Sequence, residues 1–179
     1  MSDNTLLLRA LRTIQARGAI GEASLEHAIE HAEQFVAALP VGVKNLVDLG
    51  SGGGLPGLVI AVRRPEIHVT LVERRRTRAD LLSRAIRTLD VSDRVTVVAR
   101  DVSSVARSSP SDFEAVTARS FAAPSITARW AGLLLSHGGR LVVSEPPVDN
   151  EERWPASLLD ASGLLDQGRH QGVRVFLRR

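Results

Sequence analysis

Apolar positions along the chain follow two spacings. They recur every three or four residues in some stretches, as in amphipathic helices, and they alternate or run together in short stretches, as in strands. Helical spacing predicts helices at residues 4–17, 24–39, 55–62, 81–89, 102–107, 124–135 and 151–161. The short apolar stretches predict strands at residues 46–49, 67–73, 94–99, 113–118, 140–144 and 172–177. Because strands and helices take turns, we expect a doubly wound α/β fold, mostly parallel, with helices on both faces of the sheet.

The chain is expected to form a single domain. Its 179 residues suffice for one full-sized core, and neither an internal repeat nor a low-complexity segment divides it. We expect residues 1–40 to form a helical cap and residues 41–179 to form the α/β core. No apolar run approaches the roughly 18 residues that a membrane helix needs. The N-terminus does not have the pattern of a signal peptide, so a cytoplasmic protein is expected.

The first predicted strand leads into a glycine-rich turn and then into a predicted helix. The glycines are Gly50, Gly52, Gly53 and Gly54, and Pro56 follows them. This context is the one in which such glycines bind a ligand, because they allow positive φ and close approach of the ligand to the backbone. Pro56 suits the first turn of a helix, where its missing N–H costs nothing. The same pattern also fits a structural turn with no ligand.

Two acids near this turn narrow the choice of ligand. Glu73 closes the second predicted strand, at about the separation from Gly50 that suits an acceptor for ribose hydroxyls. Asp48 lies inside the first strand, where dinucleotide sites prefer a neutral residue. A carboxylate there suits a cationic ligand, such as the amino and sulfonium groups of S-adenosylmethionine. A nicotinamide oxidoreductase is therefore disfavoured, and no Ser/Tyr/Lys or histidine catalytic set supports one.

Further polar residues stand at the ends of the later strands. In an open α/β sheet the ligand lies beyond the carboxyl ends of the strands. The third strand ends at Arg100 and Asp101, the fourth at Arg119 and Ser120, and the fifth at Glu145. Asp101 also fits as the N-cap of the helix that follows it, and either arginine fits a surface salt bridge.

Residues 47–57, VDLGSGGGLPG, resemble the first motif of the bacterial 16S ribosomal RNA guanine-N7 methyltransferase family, also called glucose-inhibited division protein B. The Leu-Pro-Gly after the glycines is more particular to that family than the glycines are. Further blocks follow in the family's order at residues 63–66, 70–73, 99–101 and 118–121. The resemblance covers roughly residues 25–145. It implies a class I methyltransferase with a seven-stranded, Rossmann-like sheet that uses S-adenosylmethionine in ribosomal RNA processing.

The resemblance also implies roles for particular residues. Those that would bind the cofactor are Asp48, Gly50, Ser51, Gly52, Gly54, Leu55, Pro56, Glu73, Arg100, Asp101 and Arg119. Glu73 would accept hydrogen bonds from both ribose hydroxyls, and Asp101 would meet the adenine edge. Arg100 and Arg119 would lie near the cofactor and the RNA, and they are the candidates for catalysis. No metal is expected.

Composition restricts the chemistry and fits a nucleic acid partner. The absence of cysteine excludes disulfides, thiolate metal sites and a cysteine nucleophile. The net charge is +3, and Lys44 is the only lysine, so nearly all the cations are arginines. Such a bias fits phosphate recognition and equally fits a GC-rich coding sequence. The arginine run at residues 74–78 fits phosphate contacts or a solvated helix start. We interpret His27, Glu30 and His31 as solvated side chains of one helix.

Among methyl acceptors, guanine N7 requires the fewest catalytic groups from the protein. Its lone pair is free and it loses no proton, so methyl transfer needs alignment and no general base. The chain lacks the Asn/Asp-Pro-Pro-aromatic block of exocyclic amino methylation after the fourth strand, and it lacks the cysteine of pyrimidine C5 methylation. We therefore expect 16S ribosomal RNA, or the small ribosomal subunit, as the partner. The oligomeric state stays open.

The chain departs from the family pattern in three places. The fifth strand ends in Glu145-Pro146 where the family has Lys-Gly, an N-terminal Trp-Asn and Asn-Leu block is missing, and the C-terminal part is abbreviated. We expect Glu145 at the same sheet edge as Arg100 and Arg119, where it would repel phosphate and pair with one of them. Two alternatives stay open: a methyltransferase for a small molecule or another RNA, and a non-catalytic module that binds cofactor or RNA.

Overall fold

A computed structural model of the protein describes residues 3–148 and 151–179, and helices and strands alternate from Asn45 to His170, after two N-terminal helices. The helices are α1 (Asp3–Ala16), α2 (Leu25–Ala38), α3 (Gly57–Arg63), α4 (Arg76–Thr88), α5 (Val102–Ser108), α6 (Pro124–Leu134) and α7 (Ala156–Ser162). The strands are β1 (Asn45–Leu49), β2 (His68–Val72), β3 (Val95–Val98), β4 (Phe113–Ala118), β5 (Leu135–Ser144), β6 (Leu164–His170) and β7 (Val173–Arg178).

Within the described ranges, seven strands form one sheet in the order β3-β2-β1-β4-β5-β7-β6. Strands β1 to β5 pair in parallel, and β7 pairs antiparallel with β5 and with β6. The order reverses at β1, so β2 and β3 lie on one side of it and β4 and β5 on the other. The predicted α/β fold with a mostly parallel sheet is confirmed. The carboxyl ends of β1 to β5 lie along one edge, where such folds bind their ligands.

The core lies on both faces of the sheet, because alternate residues of a strand point to opposite sides. In β1, Leu46 packs with the layer formed by α1 to α4, whereas Val47 and Leu49 pack with the layer formed by α5 to α7. All three side chains are fully buried. The N-terminal helices thus share one layer with α3 and α4, and β1 is covered on both faces, as is typical of a central parallel strand.

Strand β6 is the element that the sequence pattern did not predict. Its residues, LLDQGRH, are mostly polar, and only Leu164 among them is buried. It is an edge strand that pairs only with β7, and its register shifts between Asp166 and Arg169. Backbone hydrogen bonds to one neighbour hold such a strand, and polar side chains suit an open edge. The alternation that reveals a buried strand is therefore missing.

Several predicted boundaries also move. The helix predicted at residues 151–161 is divided into one turn of 3-10 helix, Glu151–Arg153, and α7, because Pro155 has no N–H with which to continue a helix begun before it. Strand β5 starts at Leu135, although Gly138 and Gly139 were expected to lie before the strand. Within the described part of the chain, no helix is both long and apolar enough to cross a bilayer.

Candidate active site

The carboxyl ends of the parallel strands open into two neighbouring pockets. The glycine-loop pocket, about 510 Å³, is lined by residues that include Gly50, Glu73, Arg74, Arg75, Arg78, Arg100, Asp101 and Trp130. The β5 pocket, about 360 Å³, is lined by residues that include His31, Arg119, Thr127, Glu145, Arg153 and Trp154. Residues 120–122 line both pockets and form the wall between them. Of the predicted cofactor-binding residues, Arg119 therefore lies in the pocket that the others do not line.

Positive φ angles and close packing shape the glycine turn. Gly50, Gly52 and Gly54 have φ of 63°, 53° and 89°. A Cβ on Gly50 would lie 2.7 Å from the ring of Phe121, so this position needs glycine for its backbone angle and for the approach of the wall. A Cβ on Gly54 would lie 2.4 Å from the side chain of Leu58, so Gly54 serves the packing of the core.

The other loop residues predicted to bind the cofactor have buried side chains. The Ser51 hydroxyl donates to the backbone carbonyl of Asp48 over 3.0 Å. Leu55 belongs to the hydrophobic core, and Pro56 follows a cis peptide bond and precedes α3, whereas it was expected inside the first helical turn. The side chains of these three residues therefore shape the turn. Their contact with a cofactor stays a prediction.

Glu73 stands just after β2 and braces the glycine loop. It is 5% exposed. Its Oε2 accepts from the N–H of Gly52 over 3.0 Å, and its Oε1 accepts from the N–H of Arg75 over 2.7 Å. Nothing in the sequence indicated that Glu73 would hold the glycine loop in place. Because each carboxylate oxygen can accept a second hydrogen bond, Glu73 still has capacity for ribose hydroxyls.

Asp48 is a buried carboxylate with one oxygen unused. It is 1% exposed, and its Oδ1 accepts from the Thr117 hydroxyl on β4 over 2.7 Å. Its Oδ2 has no hydrogen-bond partner among the described residues. A Cβ on Gly57 would lie 2.9 Å from this oxygen, so the glycine leaves room for the carboxylate. Asp48 itself lines neither pocket, and the glycine turn that follows it contributes Gly50 to the lining. Buried polar atoms are nearly always paired, so the orphaned oxygen is one that a ligand donor would satisfy.

Burial raises the pKa of Asp48 to about 6, against the opposing effects of the Thr117 hydroxyl, the Ser51 hydroxyl, the backbone N–H of Gly57 and, most weakly, the positive charge of Arg119. The Gly57 N–H is close enough to favour the ionised carboxylate, but it makes no hydrogen bond of normal geometry to Oδ2. Desolvation disfavours the charged form of a carboxylate, and a nearby cation favours it. Strongly shifted pKa values concentrate at functional sites. Asp48 is still mostly ionised at pH 7, which suits a cationic ligand.

Asp101 and Arg100 form the far wall of the glycine-loop pocket. Asp101 caps α5, because its Oδ1 accepts from the N–H of Ser103 over 2.9 Å, and this hydrogen bond lowers the pKa of Asp101 below its usual range. The N-cap reading of Asp101 is confirmed, and its place in the pocket wall is compatible with it. Arg100 is exposed, and within the described ranges neither Arg100 nor Arg119 forms the surface salt bridge considered for it.

Glu145 stands at the end of β5 and is 7% exposed. Its Oε1 accepts from the indole N–H of Trp154 over 2.7 Å and lies 3.5 Å from the Nε of Arg153. Its Oε2 is buried without a hydrogen-bond partner among the described residues. Glu145 does share a pocket with Arg119, but the expected pairing with Arg100 or Arg119 is wrong. The turn before α7 supplies the partner, Arg153, and buries the carboxylate that was expected to face phosphate.

Arg119 and His31 complete the β5 pocket from β4 and α2. Burial lowers the pKa of Arg119 from its usual value, and the charge of Asp48 opposes this. Burial and the charge of Arg119 lower the pKa of His31 below its usual range, and its ring packs at 5.6 Å from Phe35. The interpretation of His31 as a solvated side chain is therefore wrong, because β5 and β7 pack against α2 and leave His31 half-buried. No cluster of His, Asp and Glu suited to a metal ion occurs in the described part of the chain.

Several residues that line the two pockets or contact Asp48 were not singled out from the sequence. They are Gly57, Thr117, Trp130 and Trp154, and Phe121 was noted only as part of a family block. Thr117 offered one signal, since it is a polar residue in an otherwise apolar strand. Its partner, Asp48, faces it across β1 and β4. The sequence contains no comparable signal for Trp154, whose role depends on Glu145.

The fold and the pocket geometry define a class I methyltransferase architecture. Among solved structures, cofactor-bound Rv0187 from MTB matches with a TM-score of 0.69 at 18% identity, over 98% of this chain and 90% of that one. The mitomycin 7-O-methyltransferase MmcR matches with a TM-score of 0.68 at 19% identity, over 85% of this chain and 54% of that one. At these identities the similarities show the fold.

The sequence model of the GidB family, rRNA small subunit methyltransferase G, matches residues 19–153. The chain belongs to this family, and the resemblance found in the sequence is confirmed. "Ribosomal RNA small subunit methyltransferase G" of Rubrobacter xylanophilus is 35% identical over 163 residues, which are 87% of this chain and 62% of the relative. The protein of the same name in Acidiphilium cryptum is 43% identical over 106 residues, 59% of this chain and 46% of the relative. The chain spans about half the length of the curated relatives it matches.

Proposed function

We propose that the protein transfers the methyl group of S-adenosylmethionine to guanine N7 in 16S ribosomal RNA. The observation that carries the proposal is the buried carboxylate of Asp48, whose Oδ2 has no partner among the described residues and lies beside Gly57 at the start of α3. Membership of the rRNA small subunit methyltransferase G family supports the RNA acceptor.

The residues that line the glycine-loop pocket, together with Asp48 at the end of β1, fit this cofactor. Asp48 would receive its cationic amino group, and ionised Asp48 becomes more favourable as that cation approaches. Glu73 would accept from the ribose hydroxyls with the lone pairs that its two backbone hydrogen bonds leave free. Asp101 and the start of α5 lie where the adenine edge is expected.

Methyl transfer from this cofactor requires alignment above all. When bound, S-adenosylmethionine supplies a methyl group on a sulfonium, so transfer forms an N7–C bond, breaks the S–C bond and moves the positive charge from sulfur to the purine. Because N7 uses a free lone pair, no residue has to remove a proton. The task of the chain is to bring the methyl group and N7 into contact at residues 120–122, which line both pockets. Phe121, which packs against Gly50, marks the place where the two pockets meet.

Four arginines around the mouth of the glycine-loop pocket fit contacts with the RNA backbone. They are Arg74, Arg75, Arg78 and Arg100. S-adenosylmethionine carries one carboxylate and no phosphate, so its binding cannot supply a counter-charge to all four cations. Phosphate neutralisation makes binding depend on salt, with a slope of roughly −0.7 to −0.9 per contact. The arginine rim therefore supports an RNA or ribosomal partner.

The N-terminal segment is proposed to act as a cap on the glycine loop. A Cβ on Gly53 would lie 2.2 Å from the Ile20 side chain and 2.9 Å from the Ala19 carbonyl oxygen. The connection between α1 and α2 thus rests directly on the loop. Removal of residues 1–40 should therefore loosen the glycine-loop pocket, besides exposing the apolar layer that α1 and α2 share with α3 and α4.

Two measurements test the proposed function. Isothermal titration should show binding of S-adenosylhomocysteine and no appreciable binding of NAD. Incubation of unmethylated small subunits with isotopically labelled cofactor, followed by mass spectrometry of nuclease fragments, should place one label on N7 of a guanine. Tighter binding of NAD would contradict the cofactor assignment, and a label on another base or atom would contradict the acceptor.

A second acceptor class is supported by one observation. Glu145 occupies the β5 pocket at a position where the family resemblance predicts lysine, so a small-molecule acceptor or a different RNA fits the same geometry. Mass spectrometry of both RNA and metabolites after incubation with labelled cofactor separates these possibilities. Cofactor binding without any labelled product would instead support a non-catalytic module.

A further inference from the structure

We propose that the β5 pocket reads the Watson–Crick edge of guanine, with Glu145 accepting from N1–H and the N2 amino group and with Arg119 donating to O6. The inference rests on the proposed function, because it names the residues that would select its acceptor. Two observations carry it. The Oε2 of Glu145 is buried without a hydrogen-bond partner in the described part of the chain, and an arginine lines the same pocket from the neighbouring strand.

The residues around Glu145 hold its carboxylate in a fixed position. The Trp154 indole holds Oε1 at 2.7 Å, which fixes the carboxylate and leaves Oε2 as the oxygen in need of a donor. The Nε of Arg153, 3.5 Å from Oε1, makes no hydrogen bond, and this side chain is 34% exposed. A ligand that offers N–H groups can therefore displace Arg153 toward solvent and satisfy the carboxylate more fully.

The order of the groups along the sheet edge matches their order around guanine. Ala118 pairs with Leu49 on one side and with Val143 on the other, so β1, β4 and β5 end at one level. Neighbouring strands lie about 4.8 Å apart. From the glycine turn after β1, the next strand end carries Arg119 and the one beyond carries Glu145. Guanine presents N7, then O6, then N1–H and the N2 amino group in the same sequence, so N7 would face the glycine-loop pocket.

The same pair of side chains would reject adenine. Arginine with guanine O6 is the commonest specific side-chain contact to a base, because O6 accepts hydrogen bonds. Adenine presents an amino donor at this position, opposite Arg119, and an unprotonated N1 opposite Glu145. Both side chains would then lie in a half-enclosed pocket without partners, and sites built around buried polar groups reject ligands that leave them unpaired.

The charge of Glu145 also suits the product of the proposed reaction. Methylation at N7 leaves a positive charge on the purine, and a carboxylate in a poorly solvated pocket favours that charge. The phosphate repulsion expected from the sequence is reduced, since Arg153 partly neutralises the carboxylate. An acid at this position therefore supports a guanine acceptor.

The chain's two tryptophans allow the two pockets to be observed separately. Trp130 lines the glycine-loop pocket, and Trp154 lines the β5 pocket with its indole N–H bonded to Glu145. In a ¹⁵N-labelled protein, each indole gives one N–H signal, and the variant Trp130→Phe assigns them. The experiment titrates S-adenosylhomocysteine first, and then adds guanosine, inosine or adenosine to the cofactor-saturated protein.

We expect S-adenosylhomocysteine to shift the Trp130 signal and guanosine to shift the Trp154 signal. Inosine, which lacks the N2 amino group, should bind several-fold more weakly than guanosine, and adenosine should leave Trp154 unchanged. In Glu145→Gln the amide oxygen keeps the bond to Trp154 and the amide nitrogen replaces Oε2 with a donor. This variant should lose at least tenfold in guanosine affinity while its affinity for S-adenosylhomocysteine stays within twofold of wild type.

Two results would overturn the inference: an unchanged Trp154 signal at about 10 mM guanosine, or equal guanosine affinity in wild type and Glu145→Gln. Failure of the proposed function has a different signature, because the Trp130 signal would then not respond to S-adenosylhomocysteine. A response of Trp130 without one of Trp154 therefore rejects guanine reading and leaves the cofactor assignment standing.

Discussion

The buried carboxylates of Asp48, at the end of β1, and Glu145, at the end of β5, have similar hydrogen bonds but differ in their charged neighbours. Each has one oxygen fixed by a neutral donor, the Thr117 hydroxyl for Asp48 and the Trp154 indole for Glu145. Each has a second oxygen with no hydrogen-bond partner among the described residues. Of the two, Glu145 is the one that forms an ion pair in the described part of the chain, because the Nε of Arg153 lies 3.5 Å from its Oε1.

This difference in charged neighbours indicates how each carboxylate would interact with a ligand. Asp48 forms no ion pair among the described residues, and burial raises its pKa to about 6 although the charge of Arg119 weakly opposes this. A cationic ligand would therefore offset the free-energy cost of burying the charge of Asp48 at the end of β1. At the end of β5, Arg153 already reduces this cost for Glu145, so a ligand must displace Arg153 to bind the carboxylate. The first pocket favours binding through charge, whereas the second favours selection through hydrogen-bond geometry.

The largest effect is expected from Glu145→Lys. The substitution places an ammonium beside Arg153 in a buried site and leaves the Trp154 indole without its acceptor. Breaking a buried pair in this way costs about 3–5 kcal/mol of unfolding free energy. Urea unfolding of Glu145→Lys and of the exposed control Glu22→Lys measures it. A loss within 1 kcal/mol of the control would mean that position 145 behaves as a surface site, where lysine would instead raise RNA affinity.

The next effect is expected from Asp48→Asn. Removing one member of a buried charge pair costs about 2 kcal/mol or more, so affinity for S-adenosylhomocysteine should fall about 30-fold or further. The asparagine keeps an oxygen for the Thr117 hydroxyl, so the fold should persist. Isothermal titration compares the variant with Asp80→Asn on the exposed side of α4. Equal affinities in the two variants would show that no cation of the ligand reaches Asp48.

A smaller effect is expected from Glu73→Ala. Charge-assisted hydrogen bonds are worth about 1.5–3 kcal/mol each, so affinity for S-adenosylhomocysteine should fall at least tenfold. Part of this loss would come from the glycine loop, since Glu73 also holds the N–H groups of Gly52 and Arg75. Glu73→Gln keeps one acceptor oxygen and should lose less. Unchanged affinity in Glu73→Ala would place the ribose elsewhere.

The smallest effect is a pair of opposite pH dependences at Asp48. Its pKa in the folded protein, about 6, lies above its usual value, so the ligand-free protein loses stability as pH rises through 6. Affinity for S-adenosylhomocysteine should rise over the same range, by up to about tenfold per pH unit below 6, because the ionised form binds the cation. Urea unfolding and titration at pH 5 and 7.5 measure both slopes. The pH dependence of stability and that of affinity should both disappear in Asp48→Asn. If they persist in this variant, another titrating group causes them.

The glycine-loop half of the site could be predicted from the sequence because its parts are close together in the chain. The strand, the positive-φ glycines and the acid after the next strand each act through local geometry. The β5 half could not be predicted in the same way. The sequence indicated that Glu145 and Arg119 share an edge, but the pairing partner of Glu145 comes from the turn that follows it. His31 belongs to the site only because α2 packs across β5 and β7.

The sequence by itself determined the α/β alternation, the family and the acids at the ends of β1 and β2, because periodicity and spacing are properties of the chain. The tertiary structure alone decided which groups meet across strands. Thr117 stands 69 residues from Asp48 in the chain, and parallel pairing of β1 with β4 brings them together. The same packing separates Arg119 from Arg100 into two pockets. Burial, which sets the pKa of Asp48 and pairs Glu145 with Arg153, depends on what covers a side chain, and spacing along the sequence does not record that.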